Sequence, residues 1–177
     1  MMRTRYGMHG LQQEVDTGMK PIFFDTEFTG IILDPRLISI GLVSDDGREF
    51  YAELSDTYEV NKCEPFVLEA VLPHLQGGDA LMTMGELSLR LGNWIEGFNE
   101  PVKLATDSLS WDWPWIHEIF DTPGTWPENL DGKPLILDQS PSFNIAKENA
   151  FAGGLRRHHA LDDAKANLLA WLLTCHV

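Results

Sequence analysis

The chain has 177 residues, enough for one domain with a substantial hydrophobic core. At 44% hydrophobic and 23% charged it has the composition of a soluble globular protein, and no apolar run reaches the length of a membrane span. Its net charge of −14 argues against a protein that coats long stretches of nucleic acid through lysine and arginine, but not against an enzyme that grips a few phosphates through metal ions.

Residues 1–20 are polar with no sustained period, and read as a loose leader ahead of a single domain over 21–177. They contain no apolar h-region, so they do not read as a secretory signal, and Met19 leaves open a start just before the first strand. The two cysteines, Cys63 and Cys175, form no CxxC, so a reducing cytoplasm is the default setting.

PIFFDTEF (21–28) reads as a strand rich in Ile and Phe. LISIGLVS (37–44) is a second strand, DDG (45–47) a turn, and REFYAEL (48–54) a third, alternating strand, so the last two form an antiparallel hairpin. EPFVLEAVLPHL (64–75) has helical spacing until Pro73 interrupts it. MTMGELSLRLGNWIEGF (82–98) is a stronger helix, with Leu87, Leu91, Trp94, Ile95 and Phe98 on one stripe.

PVKLATDS (101–108) is a fourth strand. Pro114 suits a first helical turn, which makes Trp113 the cap, leaves Asp112 just ahead and carries the helix to about Phe120. Residues 121–134 are a Pro/Gly-rich loop, PLILDQS (134–140) is a fifth strand, and a helix follows near 142–151. After the break at Gly153 and Gly154, the last segment is a helix with Leu161, Ala164, Leu168, Leu172 and Cys175 facing the core. The order implies an α/β domain, a mixed sheet covered by helices on both sides.

Three places carry chemistry. Side chains at i and i+2 of a strand share a face, so Asp25 and Glu27 point the same way at the end of the first strand. Two such carboxylates repel unless a divalent cation lies between them, and hard oxygen donors select Mg²⁺ or Mn²⁺. Asp112, among Trp111, Trp113 and Trp115, lies near the C-terminal end of its strand, where α/β sheets build their sites. Asp107 competes with it but sits inside the predicted strand and fits a ligand position less well. In RRHHALDDAKAN (156–167), a histidine just before the last helix can face the same site as an aspartate on its first turns. The tandem pairs His158/His159 and Asp162/Asp163 leave a one-residue ambiguity. His9, His74, His117 and His176 fit no ligand spacing.

Taken together, FDTEFTG, the WD that follows a strand, and H-x-A-x-x-D on the last helix resemble the DEDDh superfamily of 3′-to-5′ exonucleases. The short chain and the LISIGLVSDDGREFYAEL hairpin look most like the small subgroup that includes a mycobacterial exoribonuclease and a T4-type phage exodeoxyribonuclease. The resemblance covers roughly residues 21–175. It implies a ribonuclease H-like fold with a five-stranded mixed sheet, and a metal set of Asp25, Glu27, Asp112 and Asp163 holding two ions. It also selects His158, five residues before Asp163, as the general base.

The reaction implied is hydrolysis of the terminal phosphodiester of single-stranded RNA or DNA, releasing nucleoside 5′-monophosphates. The ions would activate water and stabilise the leaving oxygen, and His158 would take the water's proton. Thr26, Phe28 and Thr29, beside the acidic pair, are candidates to contact the terminal nucleotide, and Arg156 and Arg157 to touch a phosphate. Single-stranded 3′ ends are the expected partners, with modest processivity, no membrane, and a homodimer as the oligomer common among such relatives.

One departure from the superfamily is Asp107, near the place where an Asn often precedes the second-motif aspartate. The rival readings are a ribonuclease H-type endonuclease, an aspartyl phosphatase, which would want an Asp in place of Glu27, and a non-catalytic nucleic-acid-binding scaffold.

Overall fold

A computed structural model describes residues 18–174. Lys20, expected in the leader, pairs with Val102 and belongs to the first strand, β1 (Lys20–Phe28). Its ammonium lies 2.6 Å from Asp45 and 3.3 Å from Asp46 of the DDG turn. The remainder of the expected leader, residues 1–17, and Cys175 lie outside the described residues.

β1 is followed by β2 (Leu37–Ser44) and β3 (Glu49–Leu54). The β2–β3 pair is antiparallel, as the DDG turn requires, and Gly47 supplies the positive φ of +85° there. Helix α1 (Pro65–Ala70) stops short, and Pro73 falls in a separate 3₁₀ turn over Leu72–His74. A two-residue strand, β4 (Leu81–Met82), precedes α2 (Met84–Glu96). Thr83 opens α2 with a capping box closed by Glu86. Then come β5 (Val102–Thr106), α3 (Leu109–Ile119), β6 (Leu135–Ile136), α4 (Pro141–Ala152) and α5 (Ala160–Thr174).

Among the described residues the sheet has six strands in the order β4-β3-β2-β1-β5-β6, one more than expected. β4 and β6 are two-residue edge pairings, and most of 134–140, read as a full strand, is outside any ladder. β2 runs antiparallel to β1, whereas β5 runs parallel to it, so the C-terminal ends of β1 and β5 lie side by side. β2 is buried along its whole length, as its run of apolar residues demands once both faces are covered.

One face packs Ile22, Phe24, Ile40 and Leu42 against Leu87, Leu91 and Ile95 of α2 and Trp115, Ile116 and Ile119 of α3. The other packs Phe23, Val43 and Ala105 against Phe143 of α4 and Leu161, Ala164 and Leu168 of α5. Leu172, expected on the core face of α5, is exposed.

The start of α3 differs from expectation. Asp112 N–H already donates to Ser108 C=O at 2.9 Å, and the helix opens five residues before Pro114. Thr106 makes this possible: its Oγ1 accepts from Ser108 N–H at 2.9 Å, turning the chain straight from β5 into the helix. Trp113 is therefore not a cap, and Asp112 sits within the first turns of α3. Pro114, having no N–H, leaves the carbonyl of Ser110 without its helical donor.

Candidate active site

The alternation of β1 sorts its side chains. Phe23, Asp25 and Glu27 share the α5 face, and Phe24 and Thr26 the α3 face. α5 brings Asp163 to the first group. One carboxylate oxygen from each of Asp25, Glu27 and Asp163 lies within 4.8 Å of the others. α3 brings Asp112 to the strand end, where Asp25, Asp107 and Asp112 form a second set within the same limit. All five acids, with His158 and Lys147, line one open cavity of about 270 Å³.

Asp112 is the most tightly held. Thr26 Oγ1 donates to its Oδ1 at 2.6 Å and Thr106 Oγ1 to its Oδ2 at 2.5 Å. Asp163 accepts from the His159 N–H at 3.1 Å, at the N-terminal end of α5, where carboxylates are favoured. Asp107 falls outside the strand expected to contain it. It lies just past β5, in the cavity, where Lys147 Nζ donates to its Oδ2 at 2.6 Å and Asn167 Nδ2 to its Oδ1 at 2.9 Å.

His158 and His159 part company. His158 has a left-handed backbone, φ +59°, an uncommon state for a side chain with a Cβ. It lines the cavity, edge-on to Phe66 with ring centres 4.9 Å apart. His159 is buried and stacked on Tyr51 at 4.6 Å. Its Nδ1 accepts from Asp162 N–H at 3.3 Å and its Nε2 lies 3.0 Å from the Gln76 amide. Both ring nitrogens of His159 are thus committed to the fold.

Thr26 borders the cavity with its hydroxyl given to Asp112. Thr29 is buried away from it, and its Oγ1 accepts from Arg36 N–H at 2.9 Å. Phe28, where the β1–β2 register shifts, lines the cavity and stacks on Trp111, with centroids 5.8 Å apart and planes 15° from parallel. Arg156 is drawn to Asp162 at 2.7 Å and Arg157 to Glu148, so neither lines the cavity.

Sequence reasoning assigned no part to Lys147, Phe66 or Gly41. Gly41 is the cross-strand partner of Asp25, and a Cβ there would lie 2.2 Å from the backbone N of Leu161. Only glycine lets α5 come down on the sheet beside the acidic pair.

Burial first, then the charges of its neighbours, pushes Asp25 well above the usual carboxylate range. The same two causes push Glu27 up to about 8. Burial moves Asp163 to about 7 and Asp112 to about 6, the latter against the pull of its two threonines. His158 is shifted down by burial, then by Arg157 and His74, so its imidazole is neutral at pH 7. The donor set is all carboxylate oxygen, crowded and mutually repelling, which fits hard divalent cations.

A pH dependence follows. Each raised carboxyl keeps its proton in the folded chain at pH values where the unfolded chain has lost it. Stability without divalent ions should therefore fall as pH rises, from about 4, where unfolded acids titrate, to beyond the value of about 8 set by Glu27. A hundredfold excess of Mn²⁺ over its Kd should restore about 2.7 kcal/mol. Thermal melts in EDTA and in Mn²⁺ between pH 5 and 8.5 check this. An Mn²⁺ effect no larger at pH 8 than at pH 5 would contradict it.

The chain is similar to mycobacterial 3′-5′ exoribonucleases. Two curated proteins of that name, from the CDC 1551 and H37Rv strains of Mycobacterium tuberculosis, are each 34% identical to it over 95 residues. The matched stretch covers 53% of this chain, and the chain spans about half the length of these curated relatives, 52% of each. No family model matches the chain. No helix among the described residues is long and apolar enough to cross a membrane.

Proposed function

We propose that this chain is a metal-dependent 3′-5′ exonuclease of the DEDDh type on a ribonuclease H-like fold, acting on single-stranded RNA. The observation that carries the reading is the convergence of Asp25, Glu27, Asp112 and Asp163 with His158 in one cavity at the paired ends of β1 and β5. That the two relatives are named exoribonucleases favours RNA over DNA. A cytoplasmic setting and single-stranded 3′ ends as partners belong to the same reading.

Asp25, Glu27, Asp112 and Asp163 would hold two Mg²⁺ or Mn²⁺ ions. Such ions supply Lewis-acid activation of water and neutralise charge on the phosphoryl and leaving oxygens. The chain does the rest. Thr26 and Thr106 fix the Asp112 carboxylate, so no side-chain reorganisation is needed when substrate arrives. Phe28, stacked on the half-exposed Trp111, offers an aromatic edge where an unstacked terminal base can lie. His158, neutral and facing the cavity, takes the proton of the attacking water.

Hydrolysis of matched 5′-labelled RNA and DNA single strands tests the function. The expected result is a ladder that shortens from the 3′ end in Mn²⁺, faster on RNA, and no cleavage in EDTA. Cleavage of a circular strand would favour an endonuclease, and no cleavage of any strand a binding scaffold.

The two histidines should separate in the same assay. His158→Ala should slow hydrolysis by about 10²–10⁴-fold at pH 7.5 with Mn²⁺ binding intact. His159→Ala should instead lower the melting temperature, because it strips Gln76 and Asp162 of a buried partner. Full activity in His158→Ala would remove it as the base.

A further inference from the structure

Among the described residues, Lys147 is the one lysine or arginine lining the acidic cavity, and it comes from α4, which the exonuclease reading does not use. Its ammonium is 2.6 Å from Asp107 Oδ2, while Asn167 of α5 holds the other oxygen at 2.9 Å. Both side chains of the ion pair are largely buried, with 17% and 16% exposed, so this is no solvent-screened surface bridge. Yet Asp107 is a carboxylate within 4.8 Å of donor atoms on Asp25 and Asp112. Unrestrained, it is a fifth anionic ligand in reach of the same ions.

We propose that Lys147 is a positioning residue that reserves Asp107 from the metal set. It tethers the fifth carboxylate with Asn167 and sets the charge of the cage, and so limits how tightly the site binds divalent cations. This deepens the metal reading above and rests on it.

The charge count makes the effect of each variant opposite in sign. Five carboxylates and one ammonium leave the ionised cavity at minus four. Lys147→Met takes it to minus five and frees a ligand. Asp107→Asn takes it to minus three and leaves an ammonium facing the ions. The double variant returns it to minus four. A merely structural role for the pair would weaken cation binding in both single variants.

Calorimetric titration of metal-stripped protein with Mn²⁺ at pH 7.5 is the test. Lys147→Met should bind Mn²⁺ at least about fivefold tighter and Asp107→Asn at least about fivefold weaker. The double variant should return to within about twofold of the original chain, and Lys147→Arg should match it. Unchanged or weaker binding in Lys147→Met overturns the proposal. If Lys147→Met does not fold, Lys147→Gln takes its place, since an amide still donates to Asp107 without a charge. If neither neutral variant folds while Lys147→Arg does, the role is structural and the proposal is overturned. Absence of Mn²⁺ binding by the original chain would instead sink the metal reading underneath.

Discussion

Asp25→Asn should abolish hydrolysis and make the metal-free protein more stable. Asp25 is the acid common to both carboxylate sets, so it is the ligand whose loss disrupts both. Removing its charge should cost about 10³-fold or more in rate, the scale expected when a metal site is broken. It also removes a carboxyl whose ionisation is opposed by burial and then by Asp112, Asp163 and Glu27. At pH 8 the amide form should melt a few degrees higher in EDTA and lose most of its response to Mn²⁺. Parallel melts and ladder assays read both effects. Normal turnover in Asp25→Asn, or a lower melting temperature in EDTA, would contradict the assignment.

The second large effect is at a residue with no chemistry of its own. A Cβ on Gly41 would lie 2.2 Å from Leu161 N, 2.3 Å from its Cα and 2.5 Å from the Ala160 carbonyl carbon. These are backbone atoms, so no rotamer change relieves the clash. The start of α5 must lift off the sheet, carrying Asp163 and the His158 turn with it. Gly41→Ala should destabilise the fold by about 3 kcal/mol. Where it remains folded, it should slow hydrolysis by about 10²-fold, because the two acidic sets no longer meet. Denaturant unfolding and the ladder assay at low temperature measure the two losses. A Gly41→Ala protein with the original stability would show that α5 is not seated by this contact.

Sequence patterns reached the parts of the fold that depend on local periodicity. The apolar runs at 21–28 and 37–44 and the DDG turn define β1, β2 and their antiparallel neighbour, because alternation and turn chemistry are local. The stripe from Leu87 to Ile95 marked α2 for the same reason. The start of α3 was not legible. Pro114 reads as a first-turn residue, but the turn is decided by a Thr106 hydroxyl that caps Ser108 and then donates to Asp112. β6 shrank to two residues because, of 134–140, Leu135 and Ile136 pair in register with β5 and Leu137 adds only one hydrogen bond, to the Thr106 carbonyl.

At the site, the i, i+2 spacing of Asp25 and Glu27 placed them on one face. The choice between His158 and His159 needed the left-handed turn that sends one ring to the cavity and buries the other against Tyr51, within reach of the Gln76 amide. Lys147 and Gly41 left no local signature. Their importance comes from what α4 and α5 bring against them, which is a property of packing and not of spacing.

If the gathered carboxylates hold divalent cations, X-ray diffraction from crystals soaked in Mn²⁺ near pH 8, recorded at the manganese absorption edge, will locate them. Anomalous peaks should lie within bonding distance of Asp25, with Glu27 and Asp163 on one side and Asp112 on the other. A cavity with no peak, in crystals that diffract well and carry manganese elsewhere, would contradict the account.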